Sequence, residues 1–189
     1  MLVLINNLMS QTINILSPHD DDMYLKKKGV VDLQKFYADI KKWFEDHNFE
    51  FEETDHKIKT PSPLGTEEEI KINGWRNEHD FSKWWLKIEI SIWDSMPVDV
   101  IKDGKPKRMY RCRIKVKMRP TFEVDYENRF EKSKFMRKMR DFYVGKILGE
   151  KIKIEGDKFE YEFHELHDLM KRDLDIDASG DQFEHMWKN

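Results

Sequence analysis

The sequence predicts an α+β fold, a curved antiparallel sheet of four to six strands covered on one face by two or three helices. Three observations lead there. Between Met109 and Arg119 the chain alternates without a slip: Tyr110, Cys112, Ile114, Val116 and Met118 share one side, and Arg111, Arg113, Lys115, Lys117 and Arg119 the other. Period-two alternation marks a strand with one buried and one solvated face. Over Phe81–Asp94 the same pattern sets Trp84, Leu86, Ile88, Ile90 and Ile92 against Trp85, Lys87, Glu89, Ser91 and Trp93. Apolar stripes at three- and four-residue spacing in Asp32–His47 and Phe130–Leu148 supply amphipathic helices to cover the apolar side.

The elements follow in order. Met1–Asp22 is polar and poorly periodic, which predicts a disordered leader or a start codon placed too far upstream; Met23 opens a stretch leading into the first helix. Asp32 stands at an N-cap before Leu33, Phe36, Tyr37, Ile40, Trp43 and Phe44. Phe49–Lys59 and Glu67–Trp75 read as strands, separated by a Thr60–Gly65 loop that holds two prolines. Asn73-Gly74 reads as a turn or a bulge. Val98–Lys102 and Lys105–Met109 flank Asp103-Gly104, the dipeptide of a two-residue hairpin. Parity persists past Pro120 to Phe122, Val124 and Tyr126, so one long bent strand is expected. In Phe130–Leu148, Phe135, Met136, Met139, Phe142, Tyr143 and Ile147 form the inward stripe. Lys151–Ile154 reads as a short strand, with a hairpin over Ile152–Phe163 as the alternative. Phe159, Phe163, Leu166, Met170 and Leu174 mark a final helix. The predicted organisation is therefore a leader over 1–22, one α+β domain over 23–174, and an acidic flexible tail over 175–189.

Composition bounds the function. With 189 residues, 39% hydrophobic and 13% aromatic, the chain can bury one sizeable core, which argues against disorder. No stretch is long and apolar enough to cross a bilayer. One cysteine, Cys112, excludes an internal disulfide and predicts an inert core thiol in a reducing cytoplasm. The net charge of −3 conceals an asymmetry. Lys102–Lys151 holds 17 basic and 7 acidic residues, whereas Glu155–Asn189 holds 4 basic and 11 acidic. A basic strand face of this kind attracts phosphate backbones, yet Glu123, Asp125, Glu127 and Glu89 could compensate it across the sheet.

Several motifs are weaker. Trp75, Trp85 and Trp93 do not all belong to the inward set; they could stack on bases, be covered by loops, or meet a second copy in a homodimer. His164 and His167 have the spacing of two zinc ligands but lack cysteine partners, and exposed helix histidines are the simpler reading. Asp175–Gly180 matches the first half of a calcium loop, but the twelfth position is Met186 rather than a bidentate carboxylate. There is no Gly-rich phosphate loop, nucleophile elbow or Cys/His pairing of catalytic spacing, so no catalytic residue, metal or cofactor is expected.

The segment Asp32–Leu148 resembles an uncharacterised archaeal protein family. The likeness rests on the Leu33-Gln34-Lys35-Phe36-Tyr37 helix, the Gly74-Trp75 step, the Trp-rich alternating strand and the basic strand after an Asp-Gly turn. It extends to the Phe130–Phe135 start of a helix. The resemblance implies a cytoplasmic protein and carries no activity or site.

Two functions are thus expected. The first is a non-catalytic binding module that contacts nucleic acid, a ribonucleoprotein or an acidic protein through Arg111, Arg113, Lys115, Lys117 and Arg119, helped by Lys134, Arg137 and Lys138. The alternative is a helix-grip-like domain holding a small apolar ligand between Trp84, Ile88, Ile114, Val116, Met136, Met139 and Phe142.

Overall fold

A computed structural model describes residues 11–14, 22–62, 65–79, 82–102, 104–124, 127, 133–142 and 149–176. The elements run Gln11–Asn14 (β1), Met23–Val31 (β2), Leu33–Asp46 (α1), Glu50–Ser62 (β3), Gly65–His79 (β4), Ser82–Lys102 (β5), Lys105–Val124 (β6), Lys134–Phe142 (α2) and Gly149–Asp173 (α3). Every strand pairing is antiparallel, and the order is β3-β4-β5-β6 with the free side of β6 shared between two short strands. β2 lies along Tyr110–Met118 and β1 along Thr121–Val124. This is the expected α+β fold, a curved antiparallel sheet carrying helices.

The topology explains α1. β2 and β3 occupy opposite edges, so the chain between them has to cross the sheet, and an amphipathic helix does so while burying Phe36, Ile40, Trp43 and Phe44. Asp32 starts it by accepting from Lys35 N at 3.1 Å. On the facing sheet surface Ile70, Ile72, Trp84, Leu86, Ile88, Ile90, Ile114, Val116, Met118 and Phe122 are buried. α3 completes the cover with Phe159, Phe163, Leu166, Met170 and Leu174. α1 approaches β4 so closely that a Cβ on Gly74 would stand 2.2 Å from the Phe44 ring, which makes glycine obligatory there. Arg76 ties three elements together: its guanidinium donates to His47 O at 3.0 Å, pairs with Glu162 at 3.0 Å, and lies 4.7 Å from the centre of the Phe49 ring. Lys35 links the helices by bridging Asp39, at 2.6 Å, and Asp173.

Several expectations need correction. Gln11–Asn14 is a paired strand, and Asp22 is tied to the sheet by its ion pair with Arg119 at 2.6 Å, so these residues of the predicted leader are part of the fold; 1–10 and 15–21 lie outside the described residues. Met23–Val31 leads directly into α1, as expected, but does so as an edge strand paired with β6. Thr60–Ser62 and Gly65 of the predicted loop are strand, since Ser62 pairs with Gly65, and Pro61 is tolerated because β3 is an edge; 63–64 lie outside the described residues. Asn73-Gly74 lies inside β4, with Gly74 answering to Phe44 rather than to a turn. Lys151–Ile154 is helical, within α3, instead of a strand. Two residues of the predicted tail are held to the fold: Asp175 N donates to Arg172 O at 3.1 Å, and Ile176 N donates to Lys171 O at 2.9 Å while its side chain packs on the core; 177–189 lie outside the described residues. Asp103, Phe130, Tyr143, Ile147 and the half calcium loop beyond Ile176 lie outside the described residues.

Candidate functional site

Arg111, Arg113, Lys115, Lys117 and Arg119 of β6 project from the sheet surface opposite α1 and α3, as their parity requires. Register then decides which of them are compensated. Lys117 faces Glu89 on β5 at 3.7 Å and also reaches Asp22 at 3.4 Å. Arg119 grips the same Asp22 through two nitrogens, at 2.6 and 3.0 Å. Those bonds from Arg119, with Lys117 assisting against the opposing effect of burial, hold the Asp22 carboxyl below its ordinary range. Arg113 pairs with Asp94 at 2.6 Å, at a bulge where Asp94 takes φ 55°. Farther along, Lys71 continues the ladder to Glu69 at 3.4 Å and Asp55 at 3.8 Å. Much of the stripe is therefore one side of a salt-bridged sheet.

The exception is the β2 edge. Lys26 stands opposite Lys115, and Lys28 opposite Arg113, in the β2–β6 register. Like charges placed directly across a ladder repel. Among the described residues neither Lys26 nor Lys28 has an ion-pair partner, and Lys115 meets the Tyr24 ring at 4.7 Å instead of a carboxylate. With Trp93, these side chains line an open groove of about 370 Å³. Arg113 lies 6.0 Å from the Trp93 ring centre, so a guanidinium and an indole share that groove. Lys26 and Lys28 escaped the sequence reading because Lys26-Lys27-Lys28-Gly29 interrupts the alternation of Met23, Leu25 and Val31. The signal was the inward Lys27, a device that blunts sheet edges; it turns out to donate to Asp175 O at 2.7 Å.

The remaining predicted residues separate. Arg111 is exposed on the same strand face, whereas Lys134 and Lys138 are exposed on α2, and no bond among the described residues brings them to β6. Trp84, Ile88, Ile114 and Val116 do converge, but as packed core: Trp84 lies 4.3 Å from Phe122 and 4.7 Å from Phe159, ring centre to ring centre. Met136 is half-buried on α2, while Met139 and Phe142 are 48% and 63% exposed, as is Phe135 at 69%, so α2 does not present its apolar stripe to the sheet. α1 and α3 supply that cover.

Trp75 and Trp85 form a pair 5.8 Å apart on the outer surface, and Trp85 Nε1 donates to Glu123 at 2.6 Å. His164 is exposed, but His167 is buried, which corrects the reading of both as surface histidines. Cys112 is buried, and burial, with Glu68 adding to it, pushes its thiol up to about 11, consistent with a core residue. No helix among the described residues is long and apolar enough to cross a membrane. No family model matches this chain, and no curated protein matches it.

Proposed function

We propose that the chain is a non-catalytic binding module whose β2–β6 edge, on the outer sheet surface, takes single-stranded nucleic acid. The observation that carries this reading is the uncompensated cross-strand juxtaposition of Lys26 with Lys115, flanked by Lys28 opposite Arg113, whose charge Asp94 already partners. Left alone, the Lys26–Lys115 juxtaposition costs a few tenths to about 1 kcal/mol; a phosphate between the two turns the same geometry into charge-assisted hydrogen bonding. Trp93 in the same groove favours a nucleic acid over an acidic protein, since an indole offers a stacking platform to a base. Arg111 extends the surface along β6. A reducing, cytoplasmic setting is part of the proposal, supported by the free, buried Cys112. Membership of the archaeal family is also proposed, on the sequence resemblance over Asp32–Leu148.

The test is fluorescence anisotropy with labelled single- and double-stranded RNA and DNA across a salt series. Single strands should bind, with log K falling against log salt by about 0.7 per phosphate neutralised. The double variant Lys26→Glu/Lys28→Glu should lower both that slope and the affinity, by at least about tenfold, and Trp93→Ala should cost about 1–3 kcal/mol on single strands. No binding at low salt, or affinity indifferent to Lys26 and Lys28, would overturn the assignment. Light scattering on the same samples would show whether a homodimer through the Trp85/Trp93 surface occupies the face instead.

A further inference from the structure

On the other side of the sheet, the first turns of α1 leave an open cleft of about 420 Å³. Leu33 and Phe36 form its roof and Ile70, Ile90 and Ile92 its floor. That volume is at the small end of ligand pockets, which run from about 300 to 1,000 Å³. One end is polar in an unusual way. Glu53 stands opposite Ile72, His56 opposite Ile70, and Glu68 opposite Ile92, so all three point to the core-facing side of the sheet, where alternation would call for apolar side chains. His56 joins the two carboxylates, with Nδ1 at 3.2 Å from Glu53 and Nε2 at 3.8 Å from Glu68. Tyr37 Oη donates to Glu53 at 2.5 Å. Burial first, and Glu53 second, push this phenol up to about 12, so it remains a donor.

Among the described residues, His56 is the one ion-pair partner of either carboxylate. Two carboxylates face one imidazole, so acidic groups outnumber basic ones at this end of the cleft. A half-buried carboxylate beside apolar walls is stabilised by a cation that brings its own apolar body. We propose that this cleft binds a small apolar ammonium compound, its amine between Glu53 and Glu68 and its hydrocarbon or aromatic part against Phe36, Ile70, Ile90 and Ile92. The site is independent of the outer-face groove: it lies on the opposite side of the sheet and selects the opposite charge.

Phenethylamine, phenethyl alcohol and phenylacetate are the probes, followed by amide-resolved NMR titration of the full chain. The amine should give saturable shifts at Phe36, Tyr37, Ile70 and Ile92. The alcohol should bind about tenfold more weakly or worse, and the acid should not bind. Glu68→Gln, nearly isosteric and at a half-exposed position, should reduce the amine to the affinity of the alcohol, and Ile90→Trp should fill the cleft and abolish both. If Ile90→Trp does not fold, Glu68→Gln still decides. The proposal falls if phenylacetate binds as well as the amine, if Glu68→Gln leaves amine affinity unchanged, if the shifts map elsewhere, or if millimolar amine moves no resonance.

Discussion

His167 is 9% exposed, and burial, chiefly, pushes its imidazole down to about 4, with Lys171 adding to the effect and Asp168 opposing it. The folded state therefore holds this proton less tightly than the unfolded chain, whose histidine titrates near 6.5. Stability is complete above that value and is lost as pH falls toward 4, by up to about 3 kcal/mol over a shift of this size. Urea midpoints measured between pH 7.5 and 4.5 should fall steadily, and His167→Met should flatten the decline. An identical decline in the variant would remove His167 as its source. Asp22 and Asp32 act in a separate window, because their folded carboxyls titrate below the ordinary 3.8. At Asp32, burial alone would raise the value, but Lys107 and the Lys35 amide outweigh it. The buried state of His167 was legible: it follows Phe163 by four residues, on the flank of the Phe163–Leu166–Met170 stripe, where the H-x-x-H pairing drew attention to His164 instead.

At the scale of elements, strands with unbroken parity were readable and strands with interrupted parity were not. β5 and β6 alternate over long runs, so their faces follow from sequence. β2 does not, because an edge strand can afford Lys27 and Gly29 on its inner side. For the same reason, the cations that matter most to the proposed interface stayed hidden while the compensated ones of β6 stood out. Charge on a strand says nothing of the strand that will lie beside it, and only register distinguishes Lys117 against Glu89 from Lys115 against Lys26.

The long hairpin also outruns its neighbours. β4 accompanies β5 only as far as Ser95, and β2 accompanies β6 only from Tyr110 onward, so Val98–Lys102 and Lys105–Met109 pair with each other alone among the described residues. Ile101 is 82% exposed there. A two-stranded ribbon is marginally stable in water without a packed face. Amide hydrogen exchange should therefore release Val98, Val100 and Lys107 well before Ile88, Ile90, Ile114 and Val116 of the same two strands. Equal protection along the hairpin would mean that another surface covers the ribbon in solution.

The whole molecule is a sheet with a roof in two parts, and the parts come from opposite ends of the domain. α1 follows from topology, since it joins the two sheet edges and cannot be removed without breaking the chain. α3 comes after the sheet is complete and docks back onto it through Lys27 with the backbone of Asp175, Lys35 with Asp173, and Arg76 with Glu162. Phe159, Phe163, Leu166 and Met170 are fully buried, and Leu174 is 1% exposed. At about 1.5–3 kcal/mol for each such side chain, their burial contributes about 7–15 kcal/mol, which equals the entire net stability of an ordinary domain. Without them Trp84, Phe122 and Phe49 lose their cover, and Arg76 loses Glu162, keeping only Glu78 of its own strand at 3.2 Å among the described residues. A chain ending at Leu148 should consequently show no cooperative urea transition by tryptophan fluorescence and should bind ANS as a loosely packed state does. Adding a peptide that spans 149–176 should restore the transition, because the sheet face it covers is preformed by antiparallel pairings that do not involve it. If the shortened chain unfolds cooperatively on its own, the weight of the core rests on α1 and the sheet, and α3 is an accessory to the fold rather than its closing element.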